Sequence, residues 1–126
     1  MVVASRKIVW TSWVISVLPC LLFIFSAFLK LKGGAEVEKG FAHLGLPLSL
    51  MVPLGILELS CVVIYLIPAT SVLGAILVTG YIGGALCTQL RVGEPWYSLV
   101  VIGIFIWLGL YLREDRLKPL IPLRKV

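Results

Sequence analysis

Residues 44–67 read LGLPLSLMVPLGILELSCVVIYLI, an apolar run with a single charge, Glu58. A helix rises about 1.5 Å per residue and the hydrocarbon core of a bilayer is about 30 Å thick, so roughly 20 such residues cross it. The run is long enough to be a transmembrane helix, with Glu58 near its middle. An ionised group there costs about 2.5 to 3.5 kcal/mol on insertion scales, which makes an intramembrane carboxylate a functional-site candidate by default.

Three further stretches outward from this one carry no charge: Ile8 to Leu29, Val72 to Leu90 and Pro95 to Leu112. The chain of 126 residues is 60% hydrophobic and 13% charged, far from the balance of a soluble domain. The fold class expected is therefore all-α: a polytopic membrane protein, a compact single-domain bundle of four transmembrane helices over about 8–29, 46–67, 72–90 and 95–112, with a basic tail at 113–126. The first run follows Arg6 and Lys7, exceeds a signal-peptide core and has no small-residue cleavage site after it, so it is read as retained. Pro19 and Pro53 are compatible with helices in lipid, where neighbours satisfy the freed backbone groups, and they suggest kinks.

Four spans place both termini on one side. That side carries Arg6, Lys7, Arg113, Arg116, Lys118, Arg124 and Lys125; the other carries Lys30, Lys32, Lys39 and Arg91, diluted by Glu36, Glu38 and Glu94. The excess of basic residues points to cytoplasmic termini in a cytoplasmic (inner) membrane. The net charge of +5 then reflects topology and anionic lipid, with no nucleic-acid partner. Pro119 and Pro122 limit helix in the tail, which is read as a lipid-facing anchor. Trp10 and Trp13 at one interface, and Trp96 and Tyr97 at the other, are read as aromatic anchors. Between the first two spans, Gly33-Gly34 predicts a turn into a short interfacial helix.

Ser12, Ser16, Pro19, Phe23, Ser26 and Lys30 recur at steps of four and three along the first span, forming one stripe that is expected to face the bundle. Leu54, Glu58, Cys61 and Tyr65 form a second such stripe. Residue counting puts Tyr81 at nearly the depth of Glu58 and predicts a hydrogen bond between them. It puts Lys30 about 17 Å outward, an argument against a Lys30–Glu58 ion pair, and Lys30 is read as snorkelling to water. With no cation in reach, desolvation favours an uncharged Glu58 carboxyl.

Gly80-Tyr-Ile-Gly-Gly84 is a small-xxx-small pattern suited to close helix packing or to a homo-oligomer contact. Thr88, Gln89, Arg91, Glu94, Trp96 and His43 form a candidate polar mouth above Glu58. Cys20, Cys61 and Cys87 lie on different spans with no Cys-x-x-Cys and are read as buried apolar thiols rather than a disulfide. One His with scattered carboxylates supplies no metal set.

These residues resemble the DoxX-like family of small bacterial four-helix membrane proteins. The resemblance rests on Phe25-Ser26-x-x-x-Lys30-Leu31, His43-Leu-Gly45-x-Pro47, Gly55-x-x-Glu58-Leu59, and Tyr81-x-Gly83-Gly84-Ala85 running to Arg91-x-Gly93-Glu94-Pro95. It implies a compact four-helix bundle with Lys30 and Glu58 in matching motif positions; members often carry His where this chain has Gln89. The wider relatives include membrane subunits linked to thiosulfate:quinone oxidoreductases, proteins of redox-protein maturation and eukaryotic receptor-assembly chaperones, a spread that implies one fold with several activities.

The leading functional expectation is a redox-linked or ligand-handling subunit that binds a small apolar molecule, such as a quinone, in a pocket formed by Glu58, Tyr81, Cys61, Ser26, Lys30 and Gln89. Its partners would be the lipid bilayer, that ligand, a membrane or redox protein, and in an oligomer a second copy. The alternative is a non-catalytic assembly or scaffold protein whose buried polar groups fix helix pairing. Transport is a third reading, disfavoured by the lack of inverted repeats or broken helix pairs.

Overall fold

The computed structural model describes residues 6–121, 123 and 124; Pro122 and Lys125 lie outside the described residues. No strand occurs among the described residues. The main helices are α1 (Arg6–Lys32), α2 (Ala35–Leu44), α3 (Met51–Leu66), α4 (Ser71–Arg91) and α5 (Tyr97–Arg113), with one-turn 3₁₀ segments at Leu48–Leu50 and Pro68–Thr70. The segments 6–32, 48–66 and 68–91 are long and apolar enough to cross a membrane, and α5 is a shorter apolar helix. The molecule is a helical bundle of the kind that membranes hold.

Packing follows the order α1–α3–α4–α5, with α5 returning against α1 to close the ring. Leu18, Leu21, Leu22, Phe25 and Phe28 of α1 and Ile104 and Phe105 of α5 point outward. A surface this apolar belongs in lipid rather than in water. Inside lie Cys20, Phe23, Cys61, Val62, Tyr65, Ala75, Val78, Ile106 and Leu110. Both expected stripes face inward: Ser12, Ser16, Pro19 and Phe23 of α1 are buried, as are Glu58, Cys61 and Tyr65 of α3.

Three glycines set how closely the helices approach. A Cβ on Gly55 would stand 3.1 Å from Lys30 Cβ and 3.2 Å from the Ala27 carbonyl, so α3 lies directly on α1 there. A Cβ on Gly74 would strike the backbone of Tyr65, and one on Gly109 would strike Ser16 Oγ and lie 3.0 Å from the Ser12 carbonyl. The close packing expected of Gly80 and Gly84 is not found within the chain. A Cβ on either would meet nothing within 4 Å.

The ends of the helices follow from local chemistry. Gly33 (φ 74°) and Gly34 (φ 120°) take backbone conformations that side chains resist, ending α1 and turning the chain into α2, as expected from the pair. Gly45 (φ 73°) closes α2 in a Schellman arrangement, with Gly45 N–H donating to the Ala42 carbonyl and Leu46 N–H to that of Phe41. Between α3 and α4, Ser71 Oγ donates to the Tyr65 carbonyl (2.9 Å) and Thr70 Oγ1 to that of Ile64 (2.8 Å), satisfying carbonyls that the end of α3 leaves open. This allows a tight turn. Of the expected anchors, Trp10 is exposed and Trp96 meets Tyr97 with ring centroids 4.7 Å apart. Trp13 has a further role, because the Arg113 guanidinium lies 4.1 Å from the centre of its ring.

Candidate functional site

Glu58 is 2% exposed, and one of its oxygens collects three donors. Tyr81 OH donates to Oε2 at 2.6 Å, Lys30 Nζ at 2.8 Å and Ser26 Oγ at 3.3 Å. Lys30 Nζ also reaches Ser26 Oγ at 2.6 Å, so α1, α3 and α4 meet at one carboxylate. The Tyr81 ring is set by an edge contact with Phe23, with centroids 6.1 Å apart. The hydrogen bond expected between Tyr81 and Glu58 is present.

The ion pair that residue counting argued against is also present, and the helix register explains why. α3 starts only at Met51, whose side chain lies beside Gly33 at the end of α1. Measured from that shared level, Lys30 is about 4.5 Å deep and Glu58 about 10 Å, so their depths differ by about 6 Å rather than 17. Leu46 to Leu50 add no α-helical rise, because they form a loop and a 3₁₀ turn. The two helices are also antiparallel: Ser16 meets Tyr65 and Lys30 meets Gly55. Because Cα–Cβ bonds tilt toward a helix N-terminus, Lys30 leans inward and Glu58 leans toward it. The condition behind the uncharged-carboxyl expectation, a site with no cation in reach, is therefore not met.

This polar group forms the floor of a cavity of about 460 Å³. Ser26, Lys30, Glu58, Tyr81 and Gln89 all contribute to its lining, and Phe41, Leu44, Leu54 and Leu57 make much of the rest apolar. Gly80 and Gly84 are on its wall, where the missing side chains leave space. Two of the lining residues each carry a buried oxygen, Glu58 Oε1 and Gln89 Oε1, that has no hydrogen-bond partner among the described residues. Cys61 departs from expectation: it is 4% exposed and packed in the core one turn from Glu58, outside the cavity lining. Cys20 is buried like it, whereas Cys87 is exposed, against the expectation of three buried thiols; all three are free.

The expected mouth is met in part, since His43, Arg91, Glu94 and Trp96 lie outside the cavity lining. Thr88 and Gln89 line the cavity, Arg91 Nη2 donates to the Leu44 carbonyl at 2.5 Å, and His43 Nε2 meets Glu94 Oε1 at 2.5 Å. The first contact joins the end of α2 to the last residue of α4 and the second joins α2 to the loop after α4, while Phe41 of α2 is buried and lines the cavity. A shallower groove of about 540 Å³ between α4 and α5 carries no charged side chain, and its Trp107 Nε1 is already donated to Thr79 Oγ1 at 2.7 Å.

A second polar cluster went unrecognised in the sequence. Tyr65 OH donates to the Ile106 carbonyl at 2.6 Å and lies 2.8 Å from Ser16 Oγ, which accepts from Arg113 Nη1 at 2.5 Å. Tyr65 and Ser16 each stood on an inward stripe, but Arg113 reads as one more basic residue of the tail. The close α1–α5 approach at Gly109, one turn before Arg113, brings it beside Ser16.

Comparison with curated proteins and with solved structures finds no match. The sequence profile of the DoxX-like family matches residues 14–111, a stretch that includes every residue lining the cavity. The chain belongs to the DoxX-like family.

Proposed function

We propose that this membrane protein is a ligand-handling or redox-linked subunit that holds a small apolar, oxygen-bearing molecule of the quinone type against Lys30, Glu58, Tyr81, Ser26 and Gln89. One observation carries the reading: a carboxyl group that gathers three donors, one of them the Lys30 amine, lines an otherwise largely apolar cavity. Small-molecule sites are typically about 300 to 1,000 Å³, mostly apolar, with a few placed polar groups, and are often built between the helices of bundles. An ammonium has three donors, and Lys30 uses two of them on Ser26 and Glu58. The third is available to a ligand oxygen. The distribution of basic residues supports cytoplasmic termini and a place in the cytoplasmic membrane.

The test is mass spectrometry of the organic extract from detergent-purified protein, with Gly84→Leu as the comparison because a Cβ at this position of the cavity lining meets nothing within 4 Å. A quinone or similar small molecule enriched with the wild type and depleted with Gly84→Leu is the expected result. Identical extracts would reject the reading. The scaffold alternative draws on the Ser16–Tyr65–Arg113 cluster, which ties α1, α3 and α5 together away from the cavity. It predicts that Glu58→Gln and Gly84→Leu leave partner assembly intact with no ligand to lose.

A further inference from the structure

The two oxygens of Glu58 are treated unequally by the fold, and the inequality bears on which ligand the cavity selects. Oε2 accepts from Tyr81, Lys30 and Ser26, whereas Oε1 is buried with no partner among the described residues. With donors crowded on Oε2, the carboxylate is an acceptor only. Its free oxygen therefore asks for a ligand that brings a hydrogen. Beside it, Lys30 has one N–H left after Ser26 and Glu58 are served. A hydroxyl on an apolar ring meets both demands at once, since it accepts from Lys30 and donates to Oε1. A carbonyl meets only the first and seals Oε1 from water without a partner. Gln89 suits either form, because its amide carries both a donor and an acceptor.

We infer that the cavity takes a hydroxyl-bearing apolar ring and binds the reduced, quinol form in preference to the quinone. This rests on the ligand-handling reading above. A hydrogen bond to a charged group, together with the cost of leaving a buried acceptor unpaired, corresponds to a preference of about 10- to 100-fold. No bond is made or broken in this step; it is a difference in affinity between two redox forms.

The experiment measures binding of decylubiquinone and of its borohydride-reduced quinol to the purified full chain in detergent, under anaerobic conditions. A redox-inert pair, 4-decylphenol and 4-decylanisole, isolates the hydroxyl hydrogen from any electron chemistry. Quinol and phenol are expected to bind at least about tenfold more tightly than quinone and anisole. Glu58→Gln supplies a second readout that a structural role would not move. The amide oxygen takes the place of Oε2 under the three donors, the NH₂ takes the place of Oε1, and the preference reverses toward the carbonyl form. Equal affinity for both forms in the wild type overturns the preference while leaving the binding function standing. Failure of all four probes to bind overturns the ligand-handling reading itself. The wild-type comparison decides the matter even if Glu58→Gln fails to fold.

Discussion

Replacing Lys30 with methionine would keep the stem that packs at Gly55 and remove the ammonium 2.8 Å from Glu58. Removing one partner of a buried ion pair costs about 3 to 5 kcal/mol, because the other charge is left without compensation. Two features place the effect at the lower end of that range. The Lys30 side chain is 16% exposed against 2% for Glu58, and Glu58 keeps the hydrogen bonds from Tyr81 and Ser26. The expected loss is therefore about 3 kcal/mol. The double variant Lys30→Met/Glu58→Leu removes both charges and leaves the Tyr81 hydroxyl as the main unpaired group, so its expected cost is only about 1 to 2 kcal/mol. Unfolding of the single and double variants by dodecyl sulfate in mixed micelles, followed by circular dichroism, measures both. The pair is not a buried, energetically coupled ion pair if Lys30→Met falls within about 0.5 kcal/mol of wild type, or if the double variant is worse than the single.

Other substitutions probe the remaining contacts. Gly109→Ala pushes a methyl group into Ser16 and the α1 backbone and is expected to cost about 1 to 3 kcal/mol, while Gly80→Ala, with open space around it, stays within about 0.5 kcal/mol in the same unfolding assay. Tyr65→Phe withdraws a hydroxyl shared by the Ile106 carbonyl and Ser16, for an expected loss of about 1 to 2 kcal/mol. Arg91→Ala frees the Leu44 carbonyl, and limited proteolysis should then cut faster within 33–46; an unchanged cleavage rate would show that α2 is held elsewhere. N-Ethylmaleimide should modify Cys87 in the folded protein and reach Cys20 and Cys61 only after denaturation, as mapped by peptide mass spectrometry.

Much of this architecture was legible in the sequence because hydropathy and helical spacing are local properties. The stripes ending at Lys30 and Tyr65 fixed which faces turn inward, and the nearly equal depths of Tyr81 and Glu58 anticipated their hydrogen bond. Register between helices is not local. It depends here on where α3 begins, on Gly55 admitting α1, and on the opposite tilts of two side chains. The first of these misled the depth count for Lys30, because Leu46 to Leu50 look as apolar as any helix yet contribute no helical rise. Arg113 was missed for a related reason: its place beside Ser16 follows from the close α1–α5 approach at Gly109, and a basic residue at the end of a span ordinarily reads as an anchor. Cys61 shows that sharing a stripe does not mean sharing a cavity, since one turn along α3 is enough to pass from its floor into the core.

The pairing of Lys30 with Glu58 also fixes how the site responds to an electric field. Across a polarised membrane a lone carboxylate at mid-depth would sense about half the potential, or about 1.2 kcal/mol per 100 mV. Opposite charges 2.8 Å apart cover at most about a tenth of a 30 Å core, and together they sense no more than about 0.2 kcal/mol per 100 mV. A neutral ligand would meet nearly the same site whether the membrane is energised or not.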